Sequence, residues 1–502
     1  INPNMSTMKT PGVYVVEKNA FPNSVVEAAT AVPAFIGYTK FAKDGNKSLL
    51  NKPWKINSMA EFVQYFGGPP VPKFSITEAK DGEGDDPQVG TSHLTINDKK
   101  YTVQRSDKYN FYYQMRFFFA NGGGTCYIVS VSEGYTEDLS YDKLTGGITA
   151  LLKEQEPTMV LIPEAVYLGT VDDCCKLQAD SIRHCGQDMQ NRVAVLDIFD
   201  GFKESDSVVN DFREKIGTEF LNYAAVYYPW LNTTIVPDSD ISFLNMEAPD
   251  DLMAILTEND KEGKLTDFIG NVSAAKIAEL NDLDRETTHK VLARHSSAYS
   301  EVMREMLLTI NMLPPASAMA GIYTLVDSSK EVWKAPANIS VSAVISPTVS
   351  ISHRDQEGLN VPMNGKAVNA IRYFVGEGVK VWGARTLDGN SLDWRYINVR
   401  RTMIMLEESI KNAAKAYVFE PNVANTWVSV KSMITNFLNG IWKRGGLAGA
   451  SPEDAFSVHI GLGDTMTPED ILEGIMRITI LVAISRPAEF IEITFQQQMQ
   501  KS

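Results

Sequence analysis

Four short runs constrain this chain more than any other feature: TCYIVSV (125–131), TMVLIPEA (158–165), VAVLDIFD (193–200) and YAAVYYPWL (223–231). Each is almost continuously apolar, with no polar residue at every second place. A strand with one wet face alternates, so unbroken runs predict strands buried on both faces, as in a largely parallel sheet. Parallel strands need long crossovers, and two intervals supply them: TVDDCCKLQADSIRHCG (170–186) and SDSVVNDFREKIGTEFLN (205–222) have helical spacing. The expected class is therefore α/β, a mixed sheet flanked by helices. A further helix, NFYYQMRFFFANGG (110–123), ends at Asn-Gly, a helix-stop signal. The triple glycine Gly122 to Gly124 follows a helix and precedes a strand, the reverse of a phosphate loop, and reads as a terminator.

At 502 residues the chain exceeds one ordinary core, and roughly two to four domains are expected. Hydrophobic content of 44% and charged content of 22% fit a soluble folded protein, and the net charge of −15 argues against a general nucleic-acid binder. The four cysteines, Cys126, Cys174, Cys175 and Cys185, match no zinc spacing and suit reduced thiols. No metal or cofactor is expected. The most apolar run, IMRITILVAIS (475–485), is too short to span a bilayer and holds Arg477. The chain opens on Ile1 without signal-peptide character, so synthesis in the cytoplasm and no membrane insertion are expected.

Outside the strand-helix alternation the pattern loosens. TPGVYVVEK (10–18) reads as a strand carrying Val13, Tyr14, Val15 and Val16, and extended pieces broken by Pro22 and Pro33 follow. Residues 71–108 read as a surface β insertion, with a polar loop KDGEGDDPQVG and two strands, SHLTIND and KKYTVQR; the loop departs from calcium-loop spacing. Residues 236–300 are polar and acidic, and DRETTHKVLARHSSAYSEVMREMLLTI (284–310) reads as one long helix running to Leu313-Pro314-Pro315. GVKVWGARTLDGNSLDWRYINVRR (378–401) reads as a hairpin, with Val379, Val381, Ile397 and Val399 alternating about an Asp-Gly turn. The helix in 422–446 places Trp427, Val430, Ile434, Phe437, Leu438 and Ile441 on one face and stops at Gly445-Gly446. Ser451 and Thr467 each precede Pro-Glu-Asp, a helix start with a capping hydroxyl, proline at the first position and acids against the dipole. RPAEFIEITFQQ reads as a final strand: Phe490 leads in, and Ile491, Ile493 and Phe495 alternate with Glu492 and Thr494.

An enzyme reading finds little support. VAVLD ending at Asp197 and ASAMAG with Ser317 are similar to the strand-end aspartate and nucleophile turn of subtilisin-like proteases. A triad also needs a histidine between them in role. None lies between Asp197 and His289, and His289 and His295 fall on a polar helix. Asp197 and Asp200 suit capping and turn roles. No catalytic site is expected; a degenerate hydrolase that does not assemble is the alternative.

The strands at the two ends have no hairpin partners, so each presents unpaired backbone donors and acceptors. Pairing with neighbouring copies would satisfy them, and a donated arm builds a heterologous interface that propagates. TPGVYVVEKNAFPNSVVEAATAVPAFIGYT, NMLPPASAMAGIYTLVDSSKEVWKAPAN, the 378–401 stretch and GLGDTMTPEDILEGIMRITILVAISRPAEFIEITFQQ together resemble contractile tail sheath proteins. That family covers myophage tails, R-type pyocins and extracellular contractile injection systems; the opening is most like the antifeeding-prophage and virulence-cassette type.

The resemblance implies a subtilisin-like middle domain, an α+β C-terminal domain and interlocking strand arms. The arms would hold Val13, Tyr14, Val15, Val16, Phe490, Ile491, Ile493 and Phe495. It implies an N-terminal arm (1–25), a core sheath domain (26–70, 109–235 and 301–375), insertions at 71–108 and 236–300, a C-terminal domain (376–488) and a C-terminal arm (489–502). Expected partners are copies of the chain in stacked hexameric rings, an inner tube, baseplate and terminal cap proteins and sheath paralogues. Lys431, Lys443 and Arg444 are candidate tube contacts. Trp382, Arg385, Trp394, Arg395, Arg400 and Arg401 are candidates for internal packing or contact between subunits.

Overall fold

The computed structural model describes residues 24–79, 88–204 and 206–493. They divide into two compact units: a larger one, Ala29–Met405 with residues 486–493, and a smaller one, Leu406–Ser485 with residues 24–28.

The four apolar runs do form strands, in one nine-stranded sheet of the larger unit. Its strands are β1 (Pro33–Thr39), β2 (Trp54–Ile56), β3 (Cys126–Glu133), β4 (Met159–Leu161), β5 (Val193–Asp197), β6 (Ala224–Tyr228), β7 (Ile339–Ser340), β8 (Asn369–Phe374) and β9 (Gly378–Val381). The spatial order is β7-β9-β8-β6-β5-β4-β1-β3-β2. From β8 to β3 every neighbouring pair is parallel. Antiparallel β2 closes one edge, and β9 with β7 the other. The piece that begins at Pro33 lies in the middle of the sheet, and the proline sits at its first residue, where a missing N–H costs the ladder least.

Successive residues of these strands bury on opposite faces. Phe35, Ile128, Val195 and Tyr227 join one apolar cluster, while Ile36, Val129, Leu196 and Val226 join a second. This is why the runs do not alternate: both faces are core, and each such side chain contributes roughly 1.5–3 kcal/mol by leaving water. The helix α1 (Phe111–Ala120) packs against β1 and against α4 (Ala316–Lys330), while α2 (Val171–Arg183) and α3 (Asp206–Lys215) are the expected crossovers. The N-cap residue of α1, Asn110, makes no side-chain capping bond; instead Glu164, beyond the end of β4, accepts the N–H groups of Asn110 at 3.0 Å and Phe111 at 3.2 Å.

Several expectations change. The region 284–310 is two helices, Asp282–His295 and Ser297–Ile310, because Ser296 turns extended and its hydroxyl accepts the Tyr299 N–H as an N-cap. SHLTIND and KKYTVQR pair as Thr91–Ile96 with Lys99–Arg105 across Asn97-Asp98, both at positive φ. A third strand, Phe74–Glu78, joins them, and Phe74, Ile76, Leu94 and Val103 enter the main core.

The 378–401 stretch folds back only at one antiparallel bridge, Arg385 opposite Tyr396, and not as the expected hairpin of Val379 and Val381 with Ile397 and Val399. β9 pairs back onto β8 through the turn at residues 375–377, and Ile397 opens the helix α5 (Ile397–Ala414). Ile397 and Val399 fit a two-residue repeat, but buried Ile397, Arg400, Arg401 and Ile404 fit the helical one, and the longer pattern prevails. Of the C-terminal arm, Phe490, Ile491 and Ile493 are exposed and lie in no strand among the described residues. Val13, Tyr14, Val15, Val16 and Phe495 lie outside the described residues.

In the smaller unit the helix α6 (Ala424–Lys443) buries Val430, Met433, Ile434, Leu438 and Ile441 and stops before Gly445 at φ +88°. It packs on a two-stranded antiparallel sheet, Phe456–His459 with Thr479–Val482. The Ser451 and Thr467 signals each cap a short helix with the reciprocal acid three residues on.

The crossing of α1 and α4 depends on one small residue. A Cβ added at Gly321 would lie 2.5 Å from the carbonyl oxygen of Phe118, a backbone atom without freedom to step aside. Gly321→Ala should therefore lower stability by about 1–3 kcal/mol, read as a shift of the denaturant midpoint. An unchanged midpoint would show that the two helices part freely.

Candidate functional site at the root of the C-terminal segment

The protease-like residues do meet. Asp197 ends β5, and its Oδ1 accepts the N–H of Ala316, first residue of α4, at 2.8 Å. Ser317 follows but is fully buried, and its hydroxyl has no hydrogen-bond partner among the described residues. His289 is engaged elsewhere, its Nδ1 2.8 Å from the Tyr299 hydroxyl. His184 is buried beside Arg192, and burial and that cation push its pKa down to about 4. Burial pushes Asp197 up to about 8 against the bond from Ala316, so at neutral pH it is mainly protonated and unsuited to orienting an imidazolium. Asp197 is a helix-start ligand in a packed core. No group of three or more His, Cys, Asp or Glu among the described residues is arranged to hold a metal ion.

The stretch 378–401 does gather chemistry. Trp382, the residue after β9, is 39% exposed and lies against the Phe374 ring, 4.6 Å between centroids. Half-buried Trp394 carries the Arg400 guanidinium over its face at 4.2 Å, and the same cation stands 4.5 Å from the Tyr223 ring. Arg395 donates to the Gly389 carbonyl at 3.1 Å. Buried Arg401 grips Asp327 of α4 through two bonds of 3.0 and 2.6 Å, donates to the Thr30 carbonyl and lies over the Tyr323 ring. The Tyr323 hydroxyl is bonded to that of Tyr227 on β6 at 2.6 Å, which ties α5 through α4 to the sheet.

Arg385 makes the contact that was hardest to foresee. Its Nε and Nη2 donate to the two oxygens of Glu489 at 2.9 and 2.6 Å, and Nη1 donates to the Asn360 carbonyl at 2.9 Å. Asn360 Nδ2 and the Tyr396 hydroxyl each add a bond of 2.9 Å to the same carboxylate. Burial would raise the Glu489 carboxyl, but the hydrogen bonds from Arg385, Asn360 and Tyr396 outweigh it and hold the group below the usual range. Immediately beyond, Phe490, Ile491 and Ile493 stand 75%, 78% and 70% exposed. Phe490 and Ile491 border a groove of about 850 Å³ lined by Ala337, His353, Val361, Trp382 and Pro487. One signal in the sequence pointed to Glu489: it shares the strand parity of Ile491 and Ile493, where an acid requires a partner.

In the smaller unit Lys431 and Lys443 are exposed on α6, and Arg444 at its end is paired with Glu27. The four cysteines are free and buried.

Residues 390–498 match the model of the phage tail sheath C-terminal domain. The chain is similar to the sheath of an extracellular contractile injection system, the PVC sheath complex in its contracted state: 26% identity, 98% of this chain, 99% of that one, TM-score 0.59. It is equally similar in fold to a chain of the six-fold symmetrised anti-feeding prophage (AFP) baseplate, with 25% identity, coverage of 98% and 99%, and TM-score 0.59. The tail sheath protein of Vibrio phage KVP40 is 30% identical over 143 residues, 27% of this chain. That match spans only 20% of the phage protein. The proteins this chain is similar to form a structural sheath family and not an enzyme family. Residues 390–498 thus match the C-terminal domain of the tail sheath family, and nearly the whole chain is similar to proteins of contractile injection systems.

The raised pKa of Asp197 has a measurable sign. A carboxyl whose pKa is higher folded than unfolded stabilises the fold below its unfolded value, near 4, and loses that contribution as pH rises toward about 8. Asp197→Asn keeps an oxygen for the Ala316 N–H and does not ionise. Its stability relative to the parent should rise between pH 5 and 8, by at most roughly 1.4 kcal/mol per unit. Parallel pH profiles in chemical denaturation would show that Asp197 is charged in the fold.

Proposed function

We propose that this chain is the sheath subunit of a contractile injection machine, polymerising as stacked hexameric rings around an inner tube. Contraction of the sheath then drives the tube through a target envelope. The observation that carries this reading is likeness over 98% of the chain to the sheath of an extracellular contractile injection system. The apolar segment at the root of the C-terminal arm supports it, since Phe490, Ile491 and Ile493 are largely exposed.

In the assembled particle the C-terminal arm, with Phe490, Ile491, Ile493 and Phe495, and the N-terminal arm, with Val13, Tyr14, Val15 and Val16, pair as strands with neighbouring subunits. Such donated strands satisfy edge hydrogen bonds and generate a helical polymer. Likeness to a chain of the AFP baseplate supports attachment of the first ring to a baseplate. Exposed Lys431 and Lys443, with Arg444, face the tube in this reading. The middle domain is a subtilisin-like scaffold without proteolysis, consistent with an Asp197 and a Ser317 sealed in the core. Contraction repacks a bistable interface, and a small release per subunit adds over many copies.

Negative-stain electron microscopy of the purified chain beside forms lacking residues 1–18 or 490–502 tests the proposal. Ridged hollow tubes are expected from the full chain, and folded but unpolymerised protein from either deletion. Tubes of ordinary length from both deletions would rule out exchange of the arms.

A further inference from the structure

In the larger unit, the segment after residue 485 is held by little. No backbone–backbone hydrogen bond joins residues 486–493 to any other described residue. Arg486 stands 3.6 Å from Asp393, both well exposed, and an ion pair of that kind adds little. The firm polar hold is Glu489, whose two oxygens accept four bonds from Arg385, Asn360 and Tyr396. The bidentate fork between guanidinium and carboxylate fixes direction as well as distance.

Arg385 is in turn fixed to the sheet. Its backbone N–H donates to Asn369 Oδ1 at 2.7 Å, and Asn369 Nδ2 donates to the Arg385 carbonyl at 2.8 Å. That amide also donates to the Val226 carbonyl of β6 at 3.1 Å, and Asn369 itself, 1% exposed, opens β8 opposite Tyr227. The Arg385 side chain is 3% exposed. A continuous line of short polar contacts therefore runs from Glu489, one residue before the exposed apolar stretch, into the parallel core of the sheet.

We infer that Glu489 is a positioning residue for assembly: through Arg385 and Asn369 it fixes where and in what direction the C-terminal arm leaves the body, so that arm and sheet move as one. This rests on the reading of the chain as a sheath subunit that donates that arm. Without the anchor, a donated strand would follow its new neighbour without drawing its own body along, and rings would lose their set spacing.

The experiment uses the full chain and Glu489→Ala, with Arg486→Ala as control and Arg385→Lys, which keeps the charge but not the fork. Chymotryptic cleavage after Phe490 in the unassembled protein reads the clasp, because a protease needs several residues on each side free of the body. Measured well below the thermal midpoint of every variant, Glu489→Ala should be cut at least tenfold faster than the parent, Arg385→Lys at an intermediate rate and Arg486→Ala at the parental rate. Electron microscopy then reads assembly: Glu489→Ala should give single rings or short irregular stacks under conditions where the parent gives long tubes. An unchanged cleavage rate overturns the clasp, and faster cleavage with normal tubes overturns its role in assembly. If the parent itself forms no tubes, the sheath reading fails, while the cleavage rates still decide whether Glu489 holds the segment.

Discussion

The requirement that a parallel sheet be covered on both faces governs the larger unit. Once β3, β1, β4, β5, β6 and β8 run side by side in one direction, each strand has two apolar faces to bury. Helices must then lie on both sides, and strand ends become the places where polar groups are gathered. Asp197 ends β5 and Glu164 lies beyond β4; each takes up the N–H groups at the start of a helix. An arrangement that resembles catalytic machinery from a distance is here a solution to helix-start hydrogen bonding.

Much of that sheet was legible because its cause is local. The runs around Val129, Val160, Leu196 and Val226 show their burial in their own composition, and capping signals at Ser451 and Thr467 sit within four residues of what they cap. Readings failed where the deciding partner is distant or where two periods overlap. Ile397 and Val399 satisfy a strand repeat, and only the longer pattern with buried Arg400, Arg401 and Ile404 on α5 reads as helix. The strand Phe74–Glu78 is too short and too polar to announce itself without Lys99–Arg105 beside it. The grip of Arg385 on Glu489 joins residues 104 positions apart, and no window along the chain contains both.

The arginines of the 378–401 stretch illustrate how a charged run is used inside a fold. Arg401 bridges α5 to α4, Arg400 stands between Trp394 and Tyr223, and Arg385 holds the start of the C-terminal segment. In each case the flat guanidinium does what an ammonium would not, stacking on a ring or matching both oxygens of a carboxylate. Removing one member of a buried pair such as Arg401–Asp327 strands the other charge. These contacts thus make the join between helices and sheet specific as well as stable.

The four buried thiols carry a consequence of a different kind. Cys126, Cys174, Cys175 and Cys185 are each at most 1% exposed, and burial raises all four above the ordinary thiol range. Disulfide exchange and oxidation proceed through an accessible thiolate. On the proposed particle, outside a cell, a subunit therefore keeps these thiols sealed from whatever oxidant surrounds it.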